Sequence, residues 1–159
     1  MAGTLLVYYT FEGNTGFVAD ELQKRLDLVT ERLRVEHEPP KKGLGKFLHG
    51  GKSALMGEDP GLLPLQNDPA AFSGIILAYP VWAGTFPPAV GAFLKQYPLQ
   101  NKTVHVIACS ASGNGAKSIE NVRAALPDCK VVSSLNLMNP LKNRETTVRE
   151  LAAFAESMC

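Results

Sequence analysis

Three short segments bring together residue types suited to small ligands. Thr10-Phe11-Glu12-Gly13-Asn14-Thr15 places hydroxyls at both ends of a Gly-containing turn, directly before a helix-period segment. Hydroxyls combined with the free N–H groups of a helix N-terminus make an anion site. No Lys or Arg lies between Thr10 and Gly16, so an anion there would be held by neutral donors and the helix dipole, the latter worth roughly 0.3–2 kcal/mol. The same residues would also serve as a plain capped helix start, with Asn14 or Thr15 as the cap. The second segment, Tyr79-Pro80-Val81-Trp82-Ala83-Gly84-Thr85-Phe86-Pro87-Pro88, carries the single Trp of the chain at the end of an apolar run. An indole there offers a flat apolar surface to a planar ligand, or packs as core. The third, Cys109-Ser110-Ala111-Ser112-Gly113-Asn114-Gly115, is small and polar and permits close backbone approach; a flexible turn is its plain alternative.

Apolar periodicity shows what must position these loops. Thr4 to Tyr9 reads as a strand, and Thr15 to Leu26 as a helix with Val18, Leu22 and Leu26 on one stripe. A weaker, peripheral strand is expected within Asp27 to Glu36. The stretch from Pro39 to Pro64 is rich in Gly and Lys, with a candidate helix around Lys46 to Leu55. Gly74-Ile75-Ile76-Leu77-Ala78 is the continuous apolar run of a central parallel strand, closed by Pro80. A helix from Pro88 carries Val90, Phe93, Leu94 and Tyr97. Thr103 to Cys109 is a strand, Ala116 opens a helix with Ile119, Val122 and Leu126, and Lys130 to Leu137 is a last strand. Val148, Leu151, Ala152, Ala155 and Met158 mark a closing helix. Strands and helices alternating in this way, five of each, predict a doubly wound parallel α/β sheet in a single domain, 1–159. Ligands of such sheets bind at the carboxyl ends of the strands, where the three loops lie.

Composition narrows the function classes. The chain has 159 residues, enough to bury roughly 70% of its unfolded surface without disulfides or a structural metal. Lys plus Arg is 16 against 15 Asp plus Glu, a net charge of +1, so an electrostatic nucleic-acid binder is not expected. Three cysteines without metal-type spacing indicate neither a disulfide framework nor a zinc site. No signal-type start or apolar run of 18 residues is present. We expect a cytoplasmic protein that does not span a membrane and holds no metal.

Competing motifs fail on residues. Gly45-Lys46-Phe47-Leu48-His49-Gly50-Gly51-Lys52-Ser53 has Lys46 where a Walker A loop needs Gly. A phosphoacceptor receiver needs carboxylates after the first strand, Asp after the third and Lys after the fifth, but Tyr9-Thr10, Tyr79-Pro80 and Asn139-Pro140 stand there. No G-x-G-x-x-G follows the first strand, and no G-x-S-x-G occurs.

Tyr9 to Thr15 resembles the phosphate loop of the flavodoxin family, usually hydroxyl-x-Thr-Gly-x-Thr, and Tyr79 to Pro88 resembles the Pro-aliphatic-Trp-x-Gly-x-x-Pro loop of its short-chain members. The resemblance spans the chain. It implies a flavodoxin-like five-stranded sheet of order 2-1-3-4-5 and noncovalently bound FMN. By this likeness Thr10, Gly13, Asn14 and Thr15 would hold the phosphate. Tyr79, Pro80, Val81, Trp82, Ala83 and Gly84 would flank one side of the isoalloxazine, and Ser110, Ala111, Gly113, Asn114 and Gly115 would approach its other parts. Glu12 departs from the family pattern. A carboxylate 6 Å from one phosphate charge costs about 2–3 kcal/mol at an effective dielectric of 20, so Glu12 is expected to serve through its backbone with its side chain outward.

The resemblance implies electron transfer, or NAD(P)H-linked reduction of a quinone, flavin or similar acceptor, without a catalytic side chain. Partners would be a redox protein or a small-molecule acceptor, with NAD(P)H as candidate donor. A flavodoxin-fold binding module without redox activity is the alternative. Ferredoxin-replacing members of the family are acidic. The net charge of +1, and Lys41, Lys42, Lys46 and Lys52 in an acid-free run from 41 to 57, point away from such a carrier and toward an oxidoreductase or a carrier for an unusual partner. That run reads as a solvated loop, with a docking face for an acidic partner or a site near a dinucleotide phosphate as the alternatives.

Overall fold

The continuous apolar runs form the middle of a five-stranded sheet in a computed structural model that describes residues 3–39 and 59–158. The candidate helix at 46–55 and the four lysines of the basic run lie outside the described residues. The strands are β1 (Thr4–Tyr8), β2 (Val29–Arg32), β3 (Gly74–Pro80), β4 (Thr103–Ser110) and β5 (Lys130–Met138). All pairings are parallel, in the order β2-β1-β3-β4-β5. This is the flavodoxin-like order. Among the described residues four α-helices cover the faces: α1 (Asn14–Leu26), α2 (Pro88–Gln96), α3 (Ala116–Ala125) and α4 (Arg144–Ser157).

Alternation along the central strands builds two cores. Leu5, Val7, Ile75, Leu77 and Tyr79 pack with Val90 and Phe93 of α2 and with Ile119 and Val122 of α3. Leu6, Ile76, Ala78 and Ile107 pack with Val18 and Leu22 of α1 and with Leu151 and Phe154 of α4. Strands buried on both faces have no polar alternation, which explains the unbroken run at 74–78. The edge strand β2 instead alternates buried Glu31 with exposed Arg32. Glu31 accepts hydrogen bonds from the N–H groups of Gln66 (3.2 Å) and Asn67 (2.7 Å), fastening the chain that leads back to β3 onto the sheet edge. A 3₁₀ turn at Pro69–Ala71, capped by the Asp68 carboxylate, then leads into β3.

Helix α1 corrects one expectation. Its N-cap is Gly13 at φ 103°, so neither Asn14 nor Thr15 caps it, and both side chains are released for other partners. The parallel order places the carboxyl ends of β1, β3 and β4 side by side at one end of the sheet, with all three loops above them.

Candidate functional site

At that end the loops border an open cleft of about 100 Å³. Thr10, Phe11, Glu12, Asn14 and Thr15 form its first wall. The Thr10 Oγ1 accepts from the Gly16 N–H at 3.0 Å, occupying the third N–H of α1. The Asn14 and Thr15 N–H groups ahead of it have no partner among the described residues. The Thr15 Oγ1 is buried, with the weakly hydrogen-bonding Cys109 thiol as its polar neighbour and no well-formed hydrogen bond of its own. A buried, unsatisfied hydroxyl costs about 1–3 kcal/mol, a cost that a ligand oxygen accepting from it would remove. Glu12 is exposed at the rim.

The second wall is Pro80, Val81 and Trp82. Trp82 and Thr85 exchange backbone hydrogen bonds of 2.9 and 3.0 Å across Ala83 (φ 51°) and Gly84 (φ 80°). Two central residues with positive φ make this a type I′ turn, which suits Gly and strains Ala. The Asn121 Nδ2 donates to the Thr85 Oγ1 at 2.9 Å, tying the turn to α3. Trp82 borders the cleft but is only 4% exposed. It meets Tyr9 and Phe11 edge-on, with ring centroids at 5.7 and 5.4 Å. The indole is thus core and wall together.

Cys109, Ser110 and Ala111 form the third wall. The Asn136 Nδ2 donates to the Gly113 carbonyl, and the Asn139 Nδ2 donates to the Ala111 carbonyl at 2.7 Å. At Gly115 a Cβ would sit 2.5 Å from the Asn136 Oδ1, so this close packing demands glycine. Burial pushes the Cys109 thiol up to about 12, with the Thr15 hydroxyl opposing. At neutral pH it is an uncharged thiol rather than a nucleophile.

A fourth wall was not expected from the sequence. Asn139 and Pro140, in the loop between β5 and α4, border the cleft. Asn-Pro is a turn signal, but nothing in its position shows which loop it meets. Other expected site residues stand back from the cleft. Tyr79 is fully buried in the core, its hydroxyl 3.0 Å from the Ser118 Oγ, and burial pushes its phenol up to about 12. Gly13, Ala83, Gly84, Gly113, Asn114 and Gly115 shape the loops without bordering the cleft.

Among the described residues no lysine, arginine or histidine borders the cleft. Apart from the exposed Glu12 at the rim, its polar groups are neutral and lie around a helix N-terminus, and its other sides are apolar and aromatic. That donor set fits a phosphate at Asn14 and Thr15 joined to a planar ring along Pro80, Val81 and Phe11. Among the described residues, no group of three or more His, Cys, Asp or Glu could hold a metal, and no helix is long and apolar enough to cross a membrane.

A doubly wound sheet of this order, with such a cradle at its first strand-to-helix turn, defines a flavodoxin-like flavoprotein. Residues 10–138 match the model of the NADPH-dependent FMN reductase family, and the chain belongs to that family. FMN is the cofactor this membership gives it. No curated protein matches the sequence significantly. Among solved structures, the chain is similar to a candidate flavoprotein from Bacteroides eggerthii (17% identity, TM-score 0.81, covering 99% of this chain and 98% of that one). It is similar to a flavoprotein from Lactobacillus acidophilus in complex with FMN (16%, 0.70, 91% and 98%) and to a Fusobacterium nucleatum flavodoxin bound to FMN (13%, 0.62, 99% and 97%). These likenesses concern the fold.

Proposed function

We propose that the protein is an FMN-dependent oxidoreductase that draws on NAD(P)H and reduces a quinone, flavin or similar small acceptor. The observation that carries this reading is the family match over residues 10–138, which takes in all three loops of the cleft. FMN, when bound, supplies the redox chemistry. The chain's own residues bind, orient and exclude water. Thr10 and the start of α1 would hold the phosphate. Pro80, Val81, Phe11 and Trp82 would keep water from one side of the ring, and Ser110, Ala111 and Asn139 would meet its polar edge. Of the described residues at the cleft, Cys109 keeps its thiol proton at neutral pH and Glu12 is exposed at the rim. The near-neutral net charge of +1 also favours a small-molecule reductase over a carrier steered by an acidic surface.

Anaerobic titration of the FMN-loaded protein with NADPH and NADH tests this reading. Bleaching of the flavin absorbance is the expected result. An unchanged spectrum with both donors overturns the reductase reading and leaves a one-electron carrier.

A further inference from the structure

Thr10 and Phe11 border two spaces: the FMN cleft and a neighbouring groove of about 490 Å³. Arg32 and Arg34 line the second. Arg32 ends β2 and Arg34 lies two residues on. Side chains at i and i+2 of extended chain project to one side, and both residues are exposed. Neither forms an ion pair with a carboxylate among the described residues. Among the described residues the groove contains one acid, Glu38, whose Oε2 accepts from the Tyr9 hydroxyl at 2.7 Å. Two guanidinium groups against one occupied carboxylate leave the groove with surplus positive charge.

The cleft itself has the opposite character: among the described residues it is bordered by neutral donors and the exposed Glu12 carboxylate, with no cation. The FMN phosphate therefore has its own place, and the arginines answer to a different anion. Paired guanidinium forks suit a phosphomonoester, whose three terminal oxygens accept charge-assisted hydrogen bonds in a planar arrangement that lysine does not reproduce. Phe11 and Leu63 add apolar surface beside them. Building on the NAD(P)H-linked reading above, we propose that Arg32 and Arg34 form the subsite for the 2′-phosphate of NADPH and give the protein its preference for NADPH over NADH. One extended dinucleotide would then have its nicotinamide end at the mouth of the FMN-filled cleft and its adenosine end in the groove, with Thr10 and Phe11 between.

The test uses the FMN-loaded protein and two measurements. Calorimetry with adenosine 2′,5′-bisphosphate and with 5′-AMP reads the subsite without turnover. Steady-state kinetics with NADPH and NADH reads discrimination. In Arg32→Ala, Arg34→Ala and the double variant, bisphosphate affinity should fall about tenfold or more, and the KM for NADPH should rise alongside. The KM for NADH, the 5′-AMP affinity and FMN retention should stay unchanged. Arg34→Lys should recover only part of the loss. Bisphosphate binding that is indifferent to the arginines, or equal losses with both dinucleotides, overturns the proposal. Arginine-dependent bisphosphate binding in a protein whose FMN is not reduced by NADPH supports the subsite and overturns the function read above.

Discussion

The Leu141 N–H donates to the Asn14 Oδ1 at 2.9 Å, joining residues 127 apart in sequence. This bond fastens the first residue of α1 to the loop before α4, and Leu141 also lies against the glycine cap of the helix, 3.4 Å from where a Gly13 Cβ would sit. The start of α1 is thereby held in place from outside its own loop. A ligand phosphate would meet N–H groups whose ordering cost has already been met in folding, which is the physical meaning of preorganisation.

Asn14→Ala should lower stability by about 1–2 kcal/mol, since it leaves the Leu141 N–H unpaired. It should also weaken FMN binding, because the cradle loses its tether. Urea unfolding of the apo-protein and fluorescence titration with FMN check the two effects separately.

Thr15→Val should separate folding from binding. The hydroxyl is buried with no well-formed hydrogen bond, only the weak Cys109 thiol beside it, so its removal should leave the apo-protein about as stable as before. If that hydroxyl serves the phosphate, FMN affinity should fall about tenfold, equivalent to about 1.4 kcal/mol. A variant with reduced apo stability and unchanged FMN affinity would contradict the assignment.

Trp82→Ala should cost about 3–5 kcal/mol, the range for emptying a buried aromatic site, because Tyr9 and Phe11 both pack against the indole. Trp82→Phe should cost less and is the better probe of FMN binding. Comparing denaturant midpoints with FMN affinities for the two variants distinguishes the packing role from the wall role.

The fold was legible where one physical demand acts alone. The run at 74–78 had to be a central strand because both its faces are buried, and the helical stripes at Val18 and Leu22 and at Val90 and Phe93 point into the two cores. In the first loop, Thr10, Asn14 and Thr15 reach the cleft as the anion-site pattern anticipated. Pro80, Val81, Trp82, Ser110 and Ala111 follow from the strand ends. Tyr79 does not, because the alternation of β3 turns its side chain toward Ser118. Asn139 and Pro140 were missed because their place depends on the bond from Asn139 to the Ala111 carbonyl and on that from the following Leu141 to Asn14, which no local pattern encodes. The Glu31 clamp on residues 66 and 67 is similarly a tertiary fact about a charge at an unremarkable strand position.

His105 supplies a pH test of stability. Its ring lies 2.6 Å from the Ser133 Oγ and edge-on to Phe154, and burial lowers its pKa below the ordinary 6.5. As pH falls through that region, the unfolded chain binds the proton before the native state does, so native stability should fall with pH below about 6.5. His105→Gln should lose less stability than the wild type between pH 7.5 and 5.5, as read from urea midpoints at the two pH values.

The most direct test of the account compares FMN with riboflavin, which shares the ring and lacks the phosphate, by fluorescence titration of the apo-protein. A cradle of N–H groups and the Thr15 hydroxyl predicts that FMN binds at least about tenfold more tightly, and that Thr15→Val narrows the gap. Equal affinity for the two flavins, or a gap that Thr15→Val leaves intact, would contradict the assignment of the phosphate to the start of α1.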